Sequence, residues 1–197
     1  MINIEYLVDR VKLVLVNPKG AWAKIGSEQI DRKDFLMSYV LPLVLIPTIA
    51  SFIGYGLIGL GSYFKVSSLS WGFHQAILAF VGAFLGVFIS AFCIHKLATN
   101  FGTQVSLDNA IKLVAYSYTP VWVAGVLTIL PSLSIFSLLA GIYSLYILYI
   151  GFVPVTNVSE EKKTNYFIVS LILVIAVSVV VSLVLGAILL TAGLRTY

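Results

Sequence analysis

Five long apolar runs occupy the chain from Phe35 onward, at residues 35–60, 71–94, 113–130, 133–153 and 166–190, with short polar breaks between them. Each is close to the ~20 residues that a helix needs to cross ~30 Å of hydrocarbon, so each predicts a transmembrane helix. Ahead of them the pattern changes. Ile4, Leu7, Val8, Val11 and Leu15 recur at helical spacing while Glu5, Asp9, Arg10 and Lys12 take other directions, which describes an amphipathic helix. Asn17-Pro18 ends that helix, because the residue before proline resists the helical region. A second short segment at 18–28 sets Trp22 and Ile25 beside Lys19 and Lys24, a grouping suited to the headgroup layer, where indole and ammonium both find partners. This head reads either as a docking surface for a partner or as an interfacial anchor. Asp31 and Asp34 then precede the first run, where carboxylates favour a helix N-terminus. The expected fold is an all-α membrane protein, with a cytoplasmic amphipathic head at 1–34 and a five-span transmembrane domain at 35–197.

Composition sharpens this reading. The chain is 60% hydrophobic and 10% charged, with a mean hydropathy of +1.04, whereas soluble domains carry about 25% charged residues. The net charge of +4 reports orientation and attraction to anionic lipid rather than nucleic acid, since no folded basic module is present. Arg10, Lys12, Lys19, Lys24, Arg32 and Lys33 in the head, Lys96 and Lys112 around the second break, and Lys162 and Lys163 in the fourth fall on one side of a five-span topology. Lys65 and Arg195 fall on the other. The positive-inside rule then puts the N-terminus in the cytoplasm and the C-terminus outside a cell (inner) membrane. The charged first 34 residues do not read as a cleavable signal, so the first span is expected to act as its own insertion signal. Cys93 lies inside the second span without an internal partner, and small apolar packing is its expected role.

No reaction is legible. Beyond Asp34 the apolar cores of spans one, three, four and five carry no ionisable carboxylate or amine, unlike ion-coupled pumps. His74 and His95 share one helix but stand about 31 Å apart at ~1.5 Å per residue, too far to share a metal. Gly82-x-x-x-Gly86 lacks the Lys-Ser/Thr of a phosphate loop, and there is no Cys-x-x-Cys. No catalytic, cofactor-binding or metal-binding residue is therefore expected. Structural signals are clearer. Gly82, Gly86 and Ser90, and likewise Ser178, Ser182 and Gly186, repeat every four residues and predict close helix packing, within the chain or in a homo-oligomer. Pro42, Pro47 and Pro120 each remove a backbone hydrogen bond and predict kinks.

The distinctive polar feature is aromatic. Tyr116-Ser117-Tyr118-Thr119-Pro120 interrupts the third run, and Tyr143, Tyr146 and Tyr149 recur every three residues down the fourth. The break at Pro131-Ser132 is short enough to predict a tight antiparallel hairpin. Phenol hydroxyls in lipid need acceptors, so hydrogen bonds are expected between these two helices, with the Tyr116 carbonyl freed by Pro120 as one acceptor. They would form either a structural network or a lined conduit.

Asn17-Pro18-Lys19-Gly20-Ala21-Trp22 resembles the Pro- and Trp-containing segment ahead of the first span in the Yip/Yif family of Ypt/Rab-interacting membrane proteins, and the 116–120 segment is similar to that family's Gly-Tyr-x-x-x-Pro signature. Ala115 stands where glycine is usual, and the head lacks the Asp-Leu-Tyr-Gly-Pro form of eukaryotic members, which resembles the shorter prokaryotic branch and puts Rab binding in doubt. The resemblance implies a non-enzymatic membrane scaffold or adaptor whose partners are the bilayer and an unidentified membrane or cytoplasmic protein. A small passive channel or transporter, with its path near Tyr116, Pro120 and the span-four tyrosines, is the alternative. Pro18, Trp22, Tyr116, Tyr118, Pro120, Tyr143, Tyr146 and Tyr149 are the candidate functional residues.

Overall fold

The structure is a computed structural model that describes residues 4–59 and 68–194; the side chains at 131, 134, 177, 178, 181, 182, 185 and 188–194 lie outside the described residues. Lys65, Arg195 and the side chains of Ser178 and Ser182 fall in that outside group. The molecule is 89% helical, and no strand occurs among the described residues.

The amphipathic pattern folds as α1 (Ile4–Val16). Asn17 then caps α2 (Pro18–Ile25): its Oδ1 accepts the Gly20 amide at 3.0 Å, and Pro18 opens the helix at the position where an amide hydrogen is not needed. Asp31 does the same for α3 (Arg32–Phe35), accepting the Asp34 amide at 2.9 Å. The helix continues through a π-turn at Leu36–Val40 into α4 (Leu41–Ile53) and a second π-turn at Gly54–Ile58. Pro42 follows the first π-turn directly, and the widened turn absorbs the hydrogen bond and the space that a proline ring denies to a regular helix.

Arg32–Ile58 as a whole is long and apolar enough to cross a membrane. So are Leu69–Phe101, which contains α5 (Leu69–Leu97), and α8 (Ser137–Thr156). The third run is not one straight helix. α6 (Leu107–Ser117) and α7 (Thr119–Ala124), prolonged by a 3-10 turn at Gly125–Ile129, meet at Tyr118 with a bend of 41°, the geometry of a broken span or a re-entrant loop. The described residues thus hold three candidate spans, or four with the bent pair; the fifth run lies on α9 (Glu160–Leu194). The link between the third and fourth runs is also longer than Pro131-Ser132, because 3-10 turns at Gly125–Ile129 and Pro131–Phe136 fill it.

The core forms where α4, α5, α6 and α8 meet, around Val44, Val87, Ile111, Val114, Ile147 and Phe152. Close backbone approaches occur at glycines outside the predicted stripes: a β-carbon on Gly54 would collide with the Thr128 carbonyl oxygen, and one on Gly72 would stand 2.6 Å from Gly56 Cα. Gly82 and Gly186 have nothing within 4 Å of such a carbon, and Gly86 meets only a Tyr118 ring atom at 3.6 Å. The connections that the charge pattern assigns to one side do gather at one end. Arg32 pairs with Asp108 at 2.5 Å, and the Thr103 hydroxyl donates to the Thr156 carbonyl at 2.5 Å.

Candidate functional site

The two sequence motifs, nearly a hundred residues apart, meet. Trp22 on α2 is only 3% exposed, stands edge-on to Tyr116 of α6 with ring centroids 6.1 Å apart, and donates its indole N–H to the Ile147 carbonyl of α8 at 3.0 Å. Gly151 makes the approach possible, since a β-carbon there would fall inside the indole. Phe35 and Tyr39, at the start of the first span, complete the cluster: Tyr39 lies 4.5 Å and Phe35 5.2 Å from Tyr116, and the two stack on each other at 5.5 Å. Offset and edge contacts of this kind are the geometries that aromatic quadrupoles favour.

This placement corrects the headgroup-layer reading of Trp22. α2 is docked into the bundle, whereas α1 leaves Ile4 and Val8 of its apolar face exposed. The Tyr143 hydroxyl donates to the Leu15 carbonyl at 2.8 Å, and a β-carbon on Gly26 would stand 3.2 Å from Pro154 Cβ, so the segment from Leu15 to Gly26 follows α8 over about 16 Å at 1.5 Å per residue. A buried ionic group ties down the following turn. Lys112, counted above with a polar break, is fully buried in α6 and donates its ammonium to the carbonyls of Gly26 (2.9 Å) and Glu28 (2.5 Å). Arg10 Nη2 donates to both Glu28 carboxylate oxygens at 2.8 Å, while its Nη1 has no partner among the described residues. Burial alone would lower the Arg10 pKa, but the Glu28 hydrogen bond and the nearby Tyr116, Tyr6 and Glu28 charges outweigh it and hold that pKa above its ordinary value. Neither the burial of Lys112 nor that of Arg10 is legible in the sequence: a lone lysine at the edge of an apolar run looks like a loop residue, and Arg10 belongs to the polar side of an amphipathic helix. Their one visible signal is helical spacing: Lys112 sits among Ile111, Leu113 and Val114 on a helix that Ser106 caps.

The remaining tyrosines do not form the hydrogen bonds expected between the third and fourth spans. Tyr118, at the bend, bonds Ser90 of α5 at 3.2 Å, and Thr119 bonds Tyr39 at 2.8 Å. Pro120 is buried at the first turn of α7. Tyr146 is 44% exposed and stacks on Tyr143 at 5.9 Å, and Tyr149 packs on Phe167 beneath the Lys163 ammonium. Tyr116 and the span-four tyrosines therefore join different parts of the protein instead of one wall. His95 donates from Nδ1 to the Val105 carbonyl at 2.6 Å, and Cys93 is buried. No metal-ligand cluster occurs among the described residues.

Fold and site define a multi-pass helical membrane protein whose N-terminal helices are clamped to the bundle by aromatic and ionic contacts. The Yip1 domain family matches residues 12–183, which include both motifs, and the chain belongs to the Yip family. No curated protein and no solved structure matches the chain. Members of the family interact with Rab GTPases and membranes. Membership and the apolar helices together give a membrane location.

Proposed function

We propose that this protein is a non-catalytic membrane scaffold or adaptor of the Yip type, which presents its docked N-terminal hairpin to a membrane-associated protein partner. The observation that carries the reading is the use to which the motif residues are put. Trp22 and Tyr116 hold α2 against α6 and α8, with Pro18 buried at its first turn, and Glu5, Asp9, Lys12, Lys19 and Lys24 are all turned outward. A fixed charged face of mixed sign favours a charged protein surface, where complementarity gives specificity. In this reading α9 is the fifth span, residues 1–34 are cytoplasmic, the C-terminus lies outside the cell membrane, and the chain is one of the shorter prokaryotic type. The open faces at Gly82 and Gly186 are available to a second copy.

Photo-cross-linking residues placed at Lys12 and Lys19 in native membrane test the idea. A discrete adduct is expected from both positions but not from lipid-facing Ile142, and it should vanish when Trp22→Ala releases the hairpin. Reconstituted liposomes provide the opposing outcome: solute flux that is lost in Tyr116→Phe or Tyr146→Phe, without any adduct, would replace the scaffold by a conduit.

A further inference from the structure

Between α8 and α9 the surface opens into an apolar groove of about 530 Å³, walled by Leu145, Leu171, Val174, Ile175, Val179 and Leu183 and floored by Tyr118. That volume is within the range of small-molecule sites. Behind the groove lies a partly open void of about 30 Å³, which shares Tyr118, Leu145, Leu171 and Val174 with it and adds Ser90 and Ser170. A void of this size exceeds the ~10–15 Å³ that a water-sized group requires. Three hydroxyls line it. Ser90 and Tyr118 bond each other at 3.2 Å, but Ser170, only 3% exposed, has no hydrogen-bond partner for its Oγ among the described residues. A buried hydroxyl without a partner is costly and rare, so its position asks for a polar group in the void.

We propose that the groove and void form one binding site for an uncharged lipid that carries a hydroxyl or carbonyl on a hydrocarbon chain, entering sideways from the bilayer. The oxygen of the lipid takes the place beside Ser170 and the Tyr118–Ser90 pair. Its chain lies along Leu171, Ile175 and Leu183, which face outward. Charge selects the class: among the described residues neither lining contains a basic or acidic side chain, so a phosphate or carboxylate would be stripped of water without compensation. Tyr118, at the bend of the third run, lines both the groove and the void. Tyr118 thus binds rather than merely packs, and this second use of the 116–120 segment is independent of the scaffold reading.

The test uses the full chain in phosphatidylcholine nanodiscs and three clickable diazirine probes of equal chain length, ending in a primary alcohol, a carboxylate or a methyl group. The alcohol probe is expected to label peptides containing Leu145 and Leu171 saturably, about tenfold more than either of the others, and to be displaced by unlabelled long-chain alcohol. Ser170→Ala should reduce alcohol labelling about tenfold, to the level of the methyl probe. Its melting temperature should not fall, because Ser170 Oγ makes no bond within the protein. Leu171→Trp, which fills the groove, should block all three probes. Equal labelling by alcohol and methyl probes, or alcohol labelling that Ser170→Ala leaves unchanged, overturns the proposal and leaves the void to water.

Discussion

Trp22→Ala is the most informative perturbation, because the sequence pattern and the tertiary structure predict different results for it. An indole in the headgroup layer could be removed with little effect on the bundle. The observed indole is 3% exposed, touches Tyr116 and bonds Ile147. Truncating a buried tryptophan to alanine costs about 3–5 kcal/mol, of which the lost hydrogen bond accounts for about 1. Gly151 supplies an internal control. A methyl added there collides with the indole and should cost about 1–3 kcal/mol by overpacking. Once Trp22 is alanine the space is free, and Gly151→Ala should be neutral or gain up to about 1 kcal/mol of helix propensity. The double-mutant cycle is therefore expected to show a coupling of about 2–3 kcal/mol between residues that lie 129 positions apart in sequence. Reversible unfolding in mixed micelles, titrated with SDS and followed by far-UV circular dichroism, measures all four corners. Additive effects, or a Trp22→Ala cost below about 1 kcal/mol, would refute a docked hairpin.

Lys112→Met should remove both carbonyl contacts of the ammonium, destabilise by about 2–3 kcal/mol, and speed limited proteolysis between Gly26 and Asp31 severalfold. Tyr39→Phe and Thr119→Val should each cost about 1 kcal/mol and the pair little more than one of them, measured by the same SDS titration, since they share a single hydrogen bond. Pro120→Ala should cost under about 1 kcal/mol, because a first-turn proline replaces no helical hydrogen bond; a larger loss in melting would mean that the proline itself holds the bend. Cysteines at 162 and 65, treated with an impermeant reagent in intact cells, should be protected and labelled respectively, and the reverse result would exclude an N-terminus in the cytoplasm.

Helix content, membrane class and the family signature were legible in the sequence because each depends on local pattern. A run of apolar residues has no satisfactory home in water, Asn17-Pro18 and Asp31 cap helices through neighbours three residues away, and Pro120 marks a break within the third run. The candidate residues were legible as types but not as partners. Tyrosines at 116 and 118 needed acceptors, yet which acceptors depended on the rotation of each helix: Tyr118 turns to Ser90 on α5, while Tyr116 turns to Trp22, Phe35 and Tyr39.

Small-residue spacing likewise gave Gly82 and Gly86 the same weight as any other four-residue repeat, although the close backbone approaches occur at Gly54, Gly56 and Gly72 and the tightest aromatic fit at Gly151. Amphipathicity told that α1 has an apolar face, and hydropathy told that the chain enters a bilayer. Neither could say that protein, rather than lipid, surrounds Trp22, since both present hydrocarbon and a helix pattern registers only the absence of water. That choice belongs to the tertiary structure: Ile147 offers a carbonyl, Gly151 leaves room for a ring, and Lys112 draws the following turn onto α6, contacts that a lipid cannot supply.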